Sequence, residues 1–280
     1  MASYLTHILA AKKTLETLGG SDLPPIDPAS FYAGAAGGDA FFLYRPVRKK
    51  GYNLGRLLHR KNVYGFFCAA KEYARKAGDY SYIFGYITHY AADITFHPYV
   101  YAAEYAALET LPERRRKDKI HFLIESDIDK LLADRYAGGD TAIRVPALSQ
   151  SACARACALL VYAAGKAYRL KLSPDALRRS LQAFPRRQRY FCRPHGKRRK
   201  RIYRFEKALG LPHVLSYLCI RETPDKAFET LPDGKGGRKS IYELFGIAAE
   251  RAAAMIRAFA AEDVPDKALF SSDFNEGKKD

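Results

Sequence analysis

The sequence predicts an all-α protein, a single domain of packed helices over residues 1–280. Apolar residues recur at three- and four-residue spacing along nearly every long segment, which is typical of amphipathic helices. The alternation of apolar and polar residues that is typical of strands is rare. The chain has 280 residues, of which 48% are hydrophobic and only 14 are proline, so it can bury a core and is not globally disordered.

The first half of the chain is predicted to contain helices and one long loop. A first helix over residues 3–18 ends at Gly19 and Gly20, and a loop rich in Pro and Gly follows over residues 20–39. Further helices are predicted over residues 54–76, 79–96, 99–108 and 113–136. Pro98 is expected to end the helix before it, because proline disfavours helical backbone at the preceding residue.

The second half is predicted to be a helical extension over about residues 147–262. A long helix is expected over residues 149–170. Ser240 and Glu243 form a capping box that opens the last long helix. The tail from residue 274 onward, FNEGKKD, is predicted to be frayed.

Charge and cysteine content limit the partners and the compartment. The formal net charge of +17 indicates an anionic partner, which is a phosphate ester, an anionic membrane surface or a nucleic acid. The five cysteines form no C-x-x-C pair, which argues against a disulfide scaffold and favours a reducing compartment. We find no signal peptide and no stretch of the ~18–20 apolar residues that a membrane helix needs. These features predict a cytoplasmic protein that touches a membrane only at its surface.

The strongest candidate site lies in the segment GYITHYAADITFHPYV. His89 and Asp93 are four residues apart, so on a helix both side chains lie on one face, and His97 follows at the same spacing. A second pair with this spacing, His121 and Glu125, lies in KIHFLIESDID. Two helices that each present an imidazole and a carboxylate across a core can build a metal site, and zinc accepts both types of ligand.

Three further candidates, His7, Asp39 and His59, lie upstream. A single histidine on an apolar helix face is usually an ordinary core residue, and Gly-Gly-Asp is an ordinary turn composition. The presence of two His/acid pairs in the same half of the chain nevertheless favours metal binding over a purely structural role. Asp129 is expected to orient a ligand, whereas Asp127 falls on another helix face and is expected to be solvated.

The order of these candidates resembles the zinc-dependent phospholipase C family, whose fold is shared with single-strand-specific zinc nucleases. The family pattern runs His, Asp, His, His-x-x-x-Asp, His and His-x-x-x-Glu. It is matched in this chain by His7, Asp39, His59, His89, Asp93, His97, His121 and Glu125. The resemblance covers residues 1–136, and the remainder resembles the family only in being helical.

The resemblance implies a cluster of two or three zinc ions. The ligands of one zinc would be Asp39, His59, His89 and Asp93, and those of a second would be His97, His121 and Glu125. A third zinc would be bound by His7 and by a bridging Asp93. The secreted enzymes complete that third site with an N-terminal Trp. This chain has no Trp, and the amine of Ala2 would have to take that role.

The resemblance also implies the hydrolysis of a phosphodiester. A zinc pair lowers the pKa of a bridging water towards ~7 and clamps the phosphate, so that the bridging hydroxide attacks phosphorus in line. Asp39 is the predicted catalytic residue, because it can bind metal and also orient or deprotonate that water. The sequence has no G-x-S-x-G, Walker or H-E-x-x-H motif that would indicate another chemistry.

A basic stretch covers residues 186–207, with eleven Lys or Arg against one acid, Glu206. Tyr and Phe residues are interleaved with these charges. The stretch is compatible with contact to an anionic membrane, with binding along a nucleic-acid backbone, or with a solvated loop and helix start. His195 lies beside Pro194 and Gly196 with no acid in register, and both His195 and His213 are predicted not to be ligands.

The sequence leaves three functions open. The preferred one is a zinc-dependent phospholipase C-type hydrolase that removes a phospholipid headgroup. The second is a zinc-dependent nuclease or another phosphodiesterase that acts on a soluble substrate. The third is a non-catalytic basic protein that binds a membrane or a nucleic acid.

Overall fold

The computed structural model describes residues 4–20, 22–42, 53–112, 119–193 and 196–274. The α-helices in these residues are α1 (Tyr4–Leu18), α2 (Pro28–Ala35), α3 (Leu54–Arg60), α4 (Val63–Ala77), α5 (Ser81–Thr110), α6 (Ile120–Tyr136), α7 (Gln150–Tyr168), α8 (Pro174–Cys192), α9 (Gly196–Ala208), α10 (Leu215–Leu218), α11 (Ile241–Ala261) and α12 (Lys267–Phe270). The other described elements are 3-10 turns at Gly37–Phe41 and Lys226–Glu229 and an antiparallel hairpin of β1 (Thr230–Pro232) and β2 (Arg238–Ser240). The all-α prediction is confirmed.

Helix α5 is the central element, and it continues through Pro98. The prediction that a helix ends at this proline is therefore wrong, and residues 79–96 and 99–108 belong largely to one helix. A proline inside a helix costs about 3 kcal/mol or more. Packing offsets this cost, because α5 contacts α1, α2, α6 and α11 and buries twenty of its 30 residues.

Two other predicted helices differ in their boundaries. Residues 54–76 form two helices rather than one, because Asn62 adopts left-handed backbone, with a φ of 42°, between α3 and α4. Helix α6 begins at Ile120. Residues 113–118, where that helix was predicted to start, lie outside the described residues.

Helix α2 lies within the segment predicted as a loop over residues 20–39. Asp27 caps this helix by accepting a hydrogen bond from the backbone N–H of Ser30 at 2.9 Å. The helix approaches α5 closely, because Gly85 has no side chain at the point where the Phe31 carbonyl meets it. This contact brings the 3-10 turn after α2 against the inner face of α5.

The helices of the second half pack against those of the first. Helix α7 lies against α4, α8 lies against α7, and α11 lies against α1 and α5. Phe270 in α12 and Phe274 beyond it are fully buried, and the ring of Phe274 lies 4.6 Å from that of Tyr90. The prediction of a frayed tail is therefore wrong at Phe274, and residues 275–280 lie outside the described residues.

Two findings concern the whole set of described residues. None of their helices is both long enough and apolar enough to cross a membrane. All five cysteines have free thiols, and Cys153 and Cys157 are buried in α7.

Candidate metal centre

Helix α5 presents His89, Asp93 and His97 on its inner face, and Asp93 lies between the other candidates. Its Oδ1 atom is 3.3 Å from His7 Nε2 and 3.7 Å from His97 Nε2. Its Oδ2 atom is 3.4 Å from His89 Nε2 and 3.5 Å from His59 Nε2. One buried carboxylate therefore faces four imidazoles, which come from three helices.

Asp39, His59 and His89 form one group of potential ligands, whose ligand atoms lie within 4.8 Å of one another. His59 Nδ1 donates a hydrogen bond to the carbonyl oxygen of Gly55 at 2.6 Å. When His59 is neutral, its lone pair is then on Nε2, which lies 3.1 Å from His89 Nε2 and 3.5 Å from Asp39 Oδ1. The backbone thus selects the His59 tautomer that a metal ion requires.

The 3-10 turn after α2 brings Asp39 to these histidines. Gly37 has a positive φ of 52°, and a side chain at this position would overlap the ring of His89. A side chain at Gly38 would overlap the ring of His59. The turn packs its backbone directly on both imidazoles, which glycine alone permits.

His97, His121 and Glu125 form a second group, with ligand atoms again within 4.8 Å of one another. Glu125 Oε1 lies 3.4 Å from His97 Nε2 and 3.1 Å from His121 Nε2. His97 Nδ1 donates a hydrogen bond to the Phe274 carbonyl oxygen, and His121 Nδ1 lies 3.4 Å from Glu104 Oε2. A backbone carbonyl holds the outer nitrogen of His97, an acid faces that of His121, and both rings turn Nε2 inward, as is typical of metal-binding histidines.

A third group consists of His7, His89 and Asp93. The helix that carries His7 is held by Asp129, which accepts hydrogen bonds from the Thr6 backbone N–H at 2.8 Å and from its hydroxyl at 2.7 Å. Asp129 therefore orients His7 through the backbone next to it rather than through the imidazole itself.

Asp127 is fully buried, so the prediction that it is solvated is wrong. It forms an ion pair with Arg221, whose Nε donates to Asp127 Oδ1 at 2.6 Å. Arg221 comes from the segment after α10, which covers a face of α6 that the helical period alone assigns to solvent.

Burial and mutual repulsion keep two of the imidazoles neutral. Burial lowers the pKa of His89 well below its usual value, and the neighbouring His7 ring lowers it further. Burial also lowers the pKa of His59. Burial alone would raise the pKa of Asp93, but the surrounding imidazoles, led by that of His97, hold it well below its usual range. Neutral imidazole beside an ionised carboxylate is the state in which both can bind metal.

In the second group, nearby carboxylates outweigh burial in setting the pKa of His121. Burial would lower the pKa of His121, but the carboxylates of Glu125 and Glu104 raise it to about 9. Burial would raise the pKa of Glu125, but the His121 imidazole holds it well below its usual range. A dication at this position would therefore displace a proton from His121.

The arrangement fits a bound zinc ion. Each of the eight predicted residues is at most 9% exposed. A cavity of about 10 Å³, the size of one water or ion, is lined by His7, Asp93, His97 and Glu125. Glu125 Oε2 is buried and has no hydrogen-bond partner among the described residues. Facing lone pairs and carboxylates are unfavourable without a cation, and imidazole with carboxylate is a donor set that zinc accepts.

The sequence reasoning missed two residues that contact the outer ring nitrogens of His97 and His121. Glu104 lies seven residues after His97, two turns along the same helix face, so its spacing could have revealed it. The carbonyl of Phe274 has no such local signal, because it reaches His97 only through the path of the folded chain.

Of three other positions named from the sequence, His213 is the one that the structure describes. His213 stacks on Tyr203 at 3.9 Å between ring centroids and lies 3.3 Å from Glu206, outside the three groups described above. His195 and Ala2 lie outside the described residues.

Comparison with known proteins agrees with this geometry. A family model described as zinc dependent phospholipase C matches residues 6–162, which is more than half of the chain. The chain therefore belongs to the zinc-dependent phospholipase C family. No curated protein and no solved structure matches it.

Proposed function

We propose that this protein is a zinc-dependent phosphodiesterase that removes the headgroup of a phospholipid. Its zinc ligands would be His7, Asp39, His59, His89, Asp93, His97, His121 and Glu125, and it would hold two or three ions. Membership of the family supports zinc dependence and a phospholipid substrate.

One observation carries the proposal. Buried imidazoles and carboxylates from five separate segments meet with their ligand atoms within 4.8 Å in each of three groups. Ordinary core histidines do not need this convergence, since one partner for each ring nitrogen satisfies them. The shared Asp93 carboxylate lies within 3.7 Å of four imidazole nitrogens, which supports adjacent rather than isolated metal sites.

Zinc ions held by these residues would polarise a phosphoryl oxygen and lower the pKa of a bound water. The residues of the chain then have three tasks. Asp39 orients the attacking water and accepts its proton. His59 and His97, each fixed through Nδ1 by a backbone carbonyl, keep the donor geometry rigid. The water oxygen forms the new bond to phosphorus as the bond from phosphorus to the glycerol oxygen breaks. The glycerol oxygen takes up a proton from solvent, which balances the proton that Asp39 accepts, and the products are diacylglycerol and a phosphorylated headgroup.

The experiment is turnover by zinc-loaded protein on phosphatidylcholine vesicles and, separately, on single-stranded DNA, each with and without a chelator. We expect phosphocholine and diacylglycerol from the vesicles, and no product in chelator. Glu125→Gln is expected to abolish turnover, whereas Glu243→Gln makes the same chemical change at a helix cap and should leave it intact. Cleavage of DNA without hydrolysis of lipid would overturn the assignment of a lipid substrate.

We propose separately that the basic stretch 186–207 contacts an anionic membrane. A lipid hydrolase must meet its substrate at a bilayer surface, and basic residues near anionic headgroups contribute about 1 kcal/mol each. Residues 186–193 belong to α8 and its end, and residues 196–207 belong to α9.

A further inference from the structure

The outward face of α9 carries positive charge that no exposed acid of the helix itself compensates. The helix has seven Lys or Arg, and its one acid, Glu206, is only 3% exposed. Glu206 accepts hydrogen bonds from the backbone N–H groups of Val214 at 3.0 Å and Leu215 at 2.7 Å, and from the hydroxyl of Ser216. The Glu206 carboxylate therefore interacts with donors inside the protein and does not offset the basic residues on the outward face. The basic residues that α9 exposes are Lys197, Lys200, Arg201, Arg204 and Lys207.

Large apolar side chains are exposed at the C-terminal end of this helix. Phe205, Leu209, Leu211 and Leu215 are each 47–63% exposed, and they make up four of the seven large apolar side chains exposed among the described residues. The hydrogen bonds to Glu206 hold this segment in place, since its backbone oxygen also accepts from the N–H of Leu211 at 2.9 Å. The chain thus presents ordered apolar groups beside a basic helix.

A cavity of about 350 Å³ opens between α6, α9 and α10. The rings of Tyr203 and Tyr217 and four basic side chains, Arg199, Lys200, Arg204 and Arg221, form most of its wall, and none of its lining residues is acidic.

Two of these basic groups are available to a ligand. Arg221 is paired with Asp127, and Arg199 donates from Nε to the Ser216 carbonyl at 3.1 Å. Lys200 and Arg204 have no hydrogen bond or ion pair with any other residue that the structure describes. A phosphate group in the cavity would meet both cations.

We propose that this surface docks on an anionic phospholipid bilayer, with one lipid phosphate bound in the cavity. Phe205, Leu209, Leu211 and Leu215 would enter the boundary between headgroups and acyl chains, and the basic face of α9 would lie along the headgroups. Single-stranded nucleic acid fits less well, because three of the four exposed apolar side chains are leucines, which do not stack on bases as the ring of Phe205 would.

The docking surface lies next to the most exposed part of the metal centre. The Lys119 backbone N–H donates to the His213 carbonyl at 3.4 Å, which joins the α9–α10 connection to the start of α6. His121, two residues further along, is the most exposed of the eight candidate ligands. Docking would therefore bring the start of α6, which carries His121, close to the bilayer, a consequence that rests on the proposed function.

Sedimentation of the full chain with vesicles tests the proposal. One set of vesicles is phosphatidylcholine, and the other contains equal amounts of phosphatidylcholine and phosphatidylserine. Wild-type protein should bind the anionic vesicles and release them at high salt. The double variant Lys200→Ala/Arg204→Ala should bind the anionic vesicles about 30-fold more weakly, because each basic residue contributes ~1 kcal/mol to binding.

Two further double variants complete the design. Leu209→Ser/Leu211→Ser should lose about tenfold in vesicle binding without a change in net charge. Lys12→Ala/Lys226→Ala removes the same charge from exposed sites elsewhere and should bind nearly as wild type does. Thermal unfolding midpoints equal to wild type establish that each variant is folded.

Three outcomes would overturn the docking surface: equal loss in the Lys200/Arg204 variant and its matched control, full displacement by inorganic phosphate alone, or tighter binding to single-stranded DNA than to anionic vesicles. Hydrolysis of a soluble short-chain phosphatidylcholine by wild-type protein is measured separately. Vesicle binding without any hydrolysis would refute the proposed function alone, and hydrolysis without vesicle binding would refute the docking surface alone.

Discussion

Replacing Asp93 by Asn tests the centre most directly, because the change keeps the size of the side chain and removes its charge. Asp93 is 6% exposed and lies 3.4 Å from His89 Nε2. At an effective dielectric constant of about 20, a unit charge at that distance from the carboxylate interacts with it by about 5 kcal/mol. Desolvation offsets part of this interaction, so we expect zinc affinity to fall by about 3 kcal/mol, or ~150-fold.

The assay is zinc per chain by mass spectrometry, together with competition against a chromophoric chelator. The matched control is Asp127→Asn, since Asp127 is also buried but pairs with Arg221 outside the three groups. The control should lower the free energy of unfolding and leave zinc content unchanged. Wild-type zinc affinity in the Asp93→Asn protein would refute the central role given to this carboxylate.

Three more predictions follow from the same geometry. Gly38→Ala should lower zinc affinity at least tenfold, because the new methyl group displaces the His59 ring. In the control Gly246→Ala the methyl group meets open space, so zinc affinity should not change. Equal zinc affinity in the two variants would contradict the packing of the turn on His59. The pKa of His121 is raised to about 9, so this group is protonated at pH 7 in the metal-free protein and must lose its proton to bind zinc. Zinc affinity should therefore rise with pH up to about 9. Calorimetry in buffers of different ionisation enthalpy should show a proton released as zinc binds. Zinc binding at pH 7 without proton release would disprove the protonation of His121. Asp129→Ala should lower the free energy of unfolding by about 2–4 kcal/mol in urea, since it frees three donors at the start of α1; a change below ~0.5 kcal/mol would count against that anchor.

The sequence predicted most of the helices and the candidates on α5 because one periodic signal governs both. His89, Asp93 and His97 repeat at intervals of four, and the helix that carries them places all three side chains inward. The family pattern then brought His7, Asp39 and His59 into the same set, and the fold brings these residues close together. Their roles as zinc ligands stay predictions.

Features that depend on distant contacts could not be predicted. Local propensity places a helix end at Pro98, but the packing of α5 against four other helices outweighs it. Asp127 falls on a face that the helical period assigns to solvent, and Arg221, 94 residues later, covers it. The left-handed backbone at Asn62, which divides α3 from α4, likewise has no signature in the apolar pattern.

The carbonyl of Phe274 has a consequence for how the protein is made. Every candidate ligand lies within residues 7–125, and these emerge early during synthesis. His97 Nδ1 can donate to the Phe274 carbonyl only after residue 274 has been synthesised. The ring of Phe274 then also packs against the rings of His59 and His89. Nascent chains would therefore carry a loose, solvent-accessible set of imidazoles, and high-affinity metal loading would follow translation rather than accompany it.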